Sequence, residues 1–356
     1  MSIYKIFPTS DTTLYSAYPS QNTGLDEILE VSVKNVDVVT STDDIRRSIV
    51  KFASTDLQKL QTLKGTNTYD VYLRLFLANA ANLSTDYNLE FTQVNTLWDM
   101  GTGKFLDNPT TKNGACWYST SSYVSATNSW PNPSFYITPG GGSWTGNAIS
   151  QSFTYTDSKD INVKVTTIFN NWIAGATNGG ILIKHSSSIE NSSTSEKVLN
   201  FFSRDTHTIF PPCLEIRWDD SSYNTGSLQI MQNDDSIINI TNNPYQIKWD
   251  TQKYKFRIST RDKYPVRQFI TSSLYTVNKA LPSSSYWGLQ DVKTEDMIID
   301  FDDNYTKISC DPTSSFFNMY INGLEPERYY KILVKSLLNS GETIVVDNDC
   351  IFKVIK

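Results

Sequence analysis

The chain has 356 residues, a formal net charge of −6 and a pI near 5.1. That length suits about two domains with ample core, and the acidic balance excludes a nucleic-acid surface built on clustered Lys and Arg. Charged residues are only 19% of the chain while aromatics reach 13%, with 20 Tyr and 8 Trp, which fits an all-β protein rich in turns.

The N-terminal residues show no apolar signal segment, and no stretch is long and apolar enough to span a bilayer, so synthesis in a cytoplasm without membrane insertion is expected. Residues 3–57 read as strands separated by loops, with Lys34-Asn35 and residues 40–44 as turns. Residues 70–78 form a strong strand, apolar on Val71, Leu73, Leu75 and Leu77. Residues 89–94 set Leu89, Phe91 and Gln93 against Glu90, Thr92 and Val94, a less regular strand. From 98 to 150 the chain turns to Gly, Asn, Ser, Thr and aromatics, with Pro131, Pro133, Pro139 and the run Gly140-Gly141-Gly142. No period survives there, so this segment is expected to be a long decorated loop at one end of a sandwich, where binding residues collect.

In residues 163–184, Val165, Ile168, Phe169, Trp172 and Ile173 recur at helical spacing as one apolar stripe. Thr166 can cap the start, Gly175 is a natural left-handed stop, and Gly179-Gly180 turns the chain into the strand Ile181, Leu182, Ile183. A helix this short does not hold alone in water, so Trp172 and its neighbours must plug it into a β-sandwich. Residues 186–195 read as an exposed polar loop, and residues 198–202 and 213–218 as strands that finish the sandwich. Residues 219–226 are the best linker. Residues 228–250 hold two strands around Asn242-Asn243-Pro244, and strands at 254–259, 297–301, 316–321, 329–336 and 350–354 are spaced as in an immunoglobulin-type sandwich. The expected organisation is therefore residues 1–220, a connecting stretch 221–250, and residues 251–356.

The first of these regions resembles the DNRLRE-type domains, jelly-roll-like β-sandwiches with one short helix found in secreted carbohydrate-binding modules, surface proteins and phage structural proteins. The resemblance rests on residues 163–184, Asp11-Thr12-Thr13-Leu14-Tyr15, Asn22-Thr23-Gly24, Leu29-Glu30-Val31, Arg47-Ser48-Ile49-Val50-Lys51-Phe52, Tyr72-Leu73-Arg74-Leu75-Phe76-Leu77, Trp98-Asp99 and Trp117. It closes with Phe201-Phe202-Ser203-Arg204 and Pro211-Pro212-Cys213-Leu214-Glu215-Ile216. Lys164 stands where the family usually has Asp, so the helix start should be capped differently. Further on, Leu324-Glu325-Pro326-Glu327-Arg328-Tyr329-Tyr330 resembles the corner of fibronectin-like domains, in which a Tyr hydroxyl bonds back to the backbone.

Catalytic chemistry finds little footing. The two histidines, His185 and His207, read as surface or turn residues, and no metalloprotease, nucleophile-elbow or phosphate-loop motif occurs. The acidic pairs Asp43-Asp44, Asp219-Asp220, Asp234-Asp235 and Asp302-Asp303 sit in turn-like sequence, not as a hydrolase dyad. Cys116, Cys213, Cys310 and Cys350 show no paired spacing and are expected to be free and mostly buried. Asp11, Asp26 and Glu27 are oxygen ligands that calcium could take, or plain solvated loop carboxylates. Trp130, Tyr136 and Trp144 lie in the irregular loop and could stack on a sugar or a partner chain, whereas Trp98, Trp117, Trp172 and Trp218 match the framework.

The resemblance, the absence of a signal segment, the appended immunoglobulin-like region and a first strand close to Met1 together imply a complete, non-enzymatic structural protein of a tailed-phage virion. It would be made in the host cytoplasm and would contact other virion proteins in neck, tail or head, in a symmetric multi-copy assembly. A carbohydrate-binding module or adhesin using the loop aromatics is the alternative, and a polysaccharide-degrading enzyme a weaker third.

Overall fold

A computed structural model describes residues 2–37, 42–83, 86–121, 140–142, 144–154, 156–192, 196–232, 234–265, 277–338 and 340–356. The chain is all-β with short helices. It divides into two compact units, one of Ile6–Gly65 and Asp70–Glu215, the other of Met1–Lys5, Thr66–Tyr69 and Ile216–Lys356. No helix among the described residues is long and apolar enough to cross a membrane.

The elements as far as residue 218 are β1 (Ser2–Ile6), β2 (Pro8–Tyr15), β3 (Ile28–Asp37), β4 (Thr42–Phe52), α1 (Ser54–Lys64), β5 (Tyr69–Leu75), β6 (Leu77–Ala81), β7 (Tyr87–Val94), β8 (Trp144–Phe153), β9 (Ile161–Lys164), α2 (Thr166–Ile173), β10 (Ile181–His185), α3 (Ser187–Glu190), β11 (Lys197–Phe202) and β12 (Cys213–Trp218). The larger sheet runs β6-β11-β3-β4-β10-β7-β8 with β2 also on β4, and the smaller runs β1-β12-β5-β9. β5 shows why its sequence folds so: Val71, Leu73 and Leu75 are buried while Tyr72 and Arg74 between them are half-buried. The strand expected over 70–78 is broken, however. It stops at Leu75 and resumes as β6 in the other sheet, with the Leu77 N–H given to Asp160 Oδ1 at 2.8 Å.

The expected helix is present as α2, with Ile168, Phe169 and Trp172 buried. Its cap differs from the expectation. Val165 is the N-cap and no side chain caps it; the Thr166 hydroxyl instead accepts the Val71 N–H at 2.9 Å. Lys164 pairs with Asp70 at 2.7 Å, and Ile173 turns outward instead of completing the stripe. Gly175, at φ +100°, ends the helix in the left-handed region as its sequence position suggests.

Two further helices were not expected. α1 buries only Leu57 and Leu60, and α3 forms within the supposed polar loop and buries Glu190. Lys34-Asn35 is not a turn either, since β3 continues through it to Asp37. All four cysteines are free and buried.

The second unit contains β13 (Ser236–Ile240), β14 (Gln246–Lys248), β15 (Lys253–Asp262), β16 (Ser285–Asp291), β17 (Met297–Ile299), β18 (Ser309–Cys310), β19 (Ser315–Tyr320), β20 (Tyr329–Leu337) and β21 (Thr343–Ile355). They form two sheets, β13-β15-β19-β18 and β14-β21-β20-β16-β17, which share one apolar core. Trp287 of β16 stacks on Phe317 of β19 at 4.8 Å between ring centroids, and Phe256 of β15 meets Phe352 of β21 at 5.7 Å. The Tyr330 hydroxyl accepts the Glu325 N–H at 2.9 Å and bonds the Glu325 carbonyl at 3.2 Å, the backbone link expected of that corner. Residues 219–226 belong to this unit, where the Asn224 N–H reaches the Cys310 carbonyl and the Tyr223 hydroxyl reaches the Leu281 carbonyl.

Candidate interaction surface

One end of the first unit is a clasp between residues 16–27 and 98–121, closed by the side chain of Asn22. Its amide donates to the Met100 carbonyl at 2.7 Å and to the Ala115 carbonyl at 2.8 Å, while its oxygen accepts the Gly103 N–H at 2.8 Å. Gln21 donates to the Phe105 carbonyl, and Leu25 N–H to the Gly103 carbonyl. A buried side-chain amide with its donors and acceptor satisfied fixes loop geometry firmly.

Beneath the clasp, residues 98–121 cover the outer face of the larger sheet. Trp98, Ala115, Leu14, Ile49, Val94 and Leu182 make a second small core there, with Met100 and Trp117 at its edge. Trp98 Nε1 donates to the Gly179 carbonyl at 2.7 Å. This covering explains the irregular pattern of β7, whose residues Phe91 to Val94 are buried on both faces. Trp98 and Trp117 are thus framework.

Three aromatic and apolar side chains stay outside the clasp, among exposed polar residues such as Lys104, Asn108, Thr110, Lys112 and Asn113. Tyr18 is 49% exposed, Tyr118 39% and Leu106 89%, with Phe105 edge-on to Tyr18 at 5.4 Å. Arg46 lies over the rings of Tyr15 and Phe105 and pairs with Glu30 and Asp44, which holds this ledge rigid from below. Of the loop aromatics singled out from the sequence, Trp130 and Tyr136 lie outside the described residues. Trp144 opens β8, where its backbone pairs with Val94. Tyr18, Leu106 and Tyr118 went unmarked in the sequence, although Asn22-Thr23-Gly24 pointed to the loop that carries Tyr18.

A second network is buried beside this face. Arg47 makes a two-pronged pair with Glu190 at 2.9 and 2.8 Å, donates to the Gly140 carbonyl at 2.8 Å and lies over the Trp117 ring. Lys184 joins Glu90 at 2.7 Å. Gly140 has φ +77°, and a Cβ there would meet Trp117 at 2.7 Å, so the glycine run is a packed turn, not a loose one.

Asp11, Asp26 and Glu27 do not make a metal site: among the described residues no three His, Cys, Asp or Glu side chains gather to hold an ion. The Asp11 carboxylate accepts the Arg204 N–H at 2.7 Å inside the fold, Asp26 accepts the Phe105 N–H with both oxygens, and Glu27 faces solvent. Burial pushes Asp11 up to about 7 and Asp26 up to about 6, with the Asp205 charge adding to the first. The folded state therefore holds a proton on Asp11 that the unfolded chain releases near pH 4. Stability from this group is full below pH 4 and falls as pH rises toward 7. Asp11→Asn is expected to raise the melting temperature at pH 8 and to flatten the decline between pH 4 and 7. An unchanged pH profile in thermal melts would show that Asp11 ionises normally.

The histidine expectation needs one correction. His207 is exposed, but His185 is 1% exposed at the end of β10, beside the Tyr87 ring. Burial, with the Lys197 and Lys184 charges, lowers it to about 3, so it is a neutral core residue at physiological pH.

Three exposed aromatics of the second unit gather near the terminal strand. Tyr245 is 75% exposed, Tyr329 54% and Trp249 42%; Lys353 N–H donates to the Tyr245 carbonyl, and its ammonium lies over the Tyr329 ring. β14 lies parallel to β21 here, Gln246 against Lys353. Compared with family models, curated proteins and solved structures, the chain matches none.

Proposed function

We propose that the protein is a non-enzymatic structural component of a tailed-phage virion that assembles through protein–protein contacts. The observation that carries the contact reading is the pair of exposed aromatic surfaces on rigid supports, Tyr18, Leu106 and Tyr118 on one unit and Tyr245, Trp249 and Tyr329 on the other. Rigid, partly apolar rings lose little entropy on docking and dominate interface energetics. The assignment to a virion rests on the DNRLRE-type resemblance of the first region.

An immunoglobulin-like second unit fits the same reading. Its strand order corresponds to A-B-E-D and A′-G-F-C-C′, a buried Trp287 occupies strand C, and the Tyr330 corner opens strand F. Such units dock through loops and edge strands. The second reading, a glycan-binding module, draws on the same ledge, where the rings of Tyr18 and Tyr118 could stack on a sugar.

A glycan array and a polysaccharide-cleavage panel separate the readings. Neither binding nor release of reducing ends is expected, and hydroxyl-radical footprinting of assembled particles should show Tyr18, Tyr118 and Tyr329 protected. Array binding lost in Tyr118→Ala would move the assignment to the glycan module. Turnover abolished by a single Asp or Glu substitution would overturn the structural reading.

A further inference from the structure

Strand β15 carries a row of cations on its outer face. Phe256 and Ile258 point into the core of the second unit, so Lys253, Lys255, Arg257 and Arg261 stand on the opposite side. Same-face residues are about 7 Å apart along a strand, which spreads the four charges over about 27 Å. On the neighbouring strands, Arg257 and Lys255 face Phe316 and Asn318 of β19, and Arg261 faces Ile237 of β13. None of these is acidic. Among the described residues the ion pairs of this row all go to one carboxylate. Asp311 takes Arg257 with both oxygens, at 3.1 and 3.0 Å, and Lys255 at 3.2 Å. The Lys255 ammonium lies 3.5 Å from the Phe316 ring centroid, which holds this charge in place. Asp262 at the strand's end is engaged by Lys279 at 2.6 Å. Like charges this close repel one another within the screening length, so a row of them kept in a chain of net charge −6 points to an anionic partner.

The same unit carries a matching anionic surface at another edge. Glu295, Asp296, Asp300 and Asp303 are exposed in the turns on either side of β17, the last strand of the five-stranded sheet, with Asp302 half-buried among them. Lys293 is the single base in residues 291–303. Asp291 is buried and paired with Arg328 at 2.8 Å, so it takes no part. No ion pair among the described residues joins β15 to this edge within one chain. We propose that the cationic face of β15 docks on the acidic edge at residues 295–303 of a second copy of this chain. The two patches are different parts of the surface, so the contact is head-to-tail and closes into a ring or continues as a filament. This inference rests on the assembly reading above and names one neighbour in it. Its test uses the purified chain alone, so a failure here is distinguishable from a failure of that reading in assembled particles.

Sedimentation velocity of the full chain over a concentration series should show oligomers at about 0.01 M salt, where the Debye length is about 30 Å, and monomers at about 1 M, where it is about 3 Å. Lys253→Glu with Arg261→Glu reverses the row while leaving the Asp311 pairs in place, and Asp300→Lys with Asp303→Lys reverses the edge. Each double variant alone, shown to be folded by its thermal melt, should associate at least about tenfold more weakly than wild type at low salt. An equal mixture of the two should associate as wild type does, because the reversed row of one meets the reversed edge of the other. Where the row reversal does not fold, Lys253→Gln with Arg261→Gln takes its place and must weaken association too. A wild-type chain that stays monomeric at low salt would overturn the proposal, as would a folded double variant that associates like wild type. Two folded, monomeric variants whose mixture stays monomeric would show that row and edge do not meet. Binding of polyaspartate by a wild-type chain that stays monomeric would give the row to another acidic partner and overturn the self-contact.

Discussion

Glu190→Ala is expected to destabilise the first unit by about 3–5 kcal/mol, the usual effect of leaving one member of a buried ion pair unmatched. The side chains of Arg47 and Glu190 are only 12% and 5% exposed, and their two-pronged contact ties α3 to β4. Removing the carboxylate leaves Arg47 with the Gly140 carbonyl and the Trp117 ring, and Lys184 with Glu90. Replacing both partners, Arg47→Leu with Glu190→Leu, should cost less than the sum of the single changes, because no unmatched charge remains. The pair Lys164–Asp70 is the internal comparison. Its side chains are 54% and 29% exposed, and Asp70→Ala should cost no more than about 1 kcal/mol. Urea melts of Glu190→Ala, Asp70→Ala, the two single leucine changes and their combination check this, and a Glu190→Ala protein as stable as wild type would mean that water reaches the network.

Trp172→Ala carries a comparable expected loss, about 3–5 kcal/mol, the range for emptying a large aromatic from a core. Its neighbours Ile168 and Phe169 are also buried, so α2 is held by a single contiguous apolar face. A helix of eight residues has no stability of its own, and its loss should follow the loss of that face. Chemical denaturation followed by circular dichroism measures it. A mutant melting with wild type would place Trp172 outside the core.

The parts that were legible in the sequence are those where one residue pattern has one physical solution. Val165 to Trp172 can hide its stripe only as a helix, and Val71, Leu73 and Leu75 can do so only as a strand. Tyr330 falls six residues after Leu324, and its hydroxyl meets the Glu325 backbone as that spacing requires. Elsewhere the pattern was too sparse or the cause was distant. α1 offers only Leu57 and Leu60 to the core, so its eleven residues look like polar loop. The run from Val71 to Leu77 gives no sign of changing sheets at Phe76, because that break depends on Asp160, far along the chain. His185 and Glu190 are polar letters in a serine-rich stretch, yet both are buried by partners contributed from β4, β7 and β11. The surface proposed for contact shares only residues 98–121 with the irregular stretch, and none of its exposed side chains stood out in the sequence. Trp98 turns inward to the sheet with Trp117 packed at its edge, and Tyr18 and Tyr118 are exposed.

The proposal that this chain builds a virion is tested most directly by quantitative mass spectrometry of density-purified phage particles from a lysate in which the chain is expressed with its own genome. The chain should copurify with the particles at a fixed, whole-number ratio to the portal protein across independent preparations. Its absence from intact particles, with the full amount recovered in the soluble or cell-surface fraction, would contradict it.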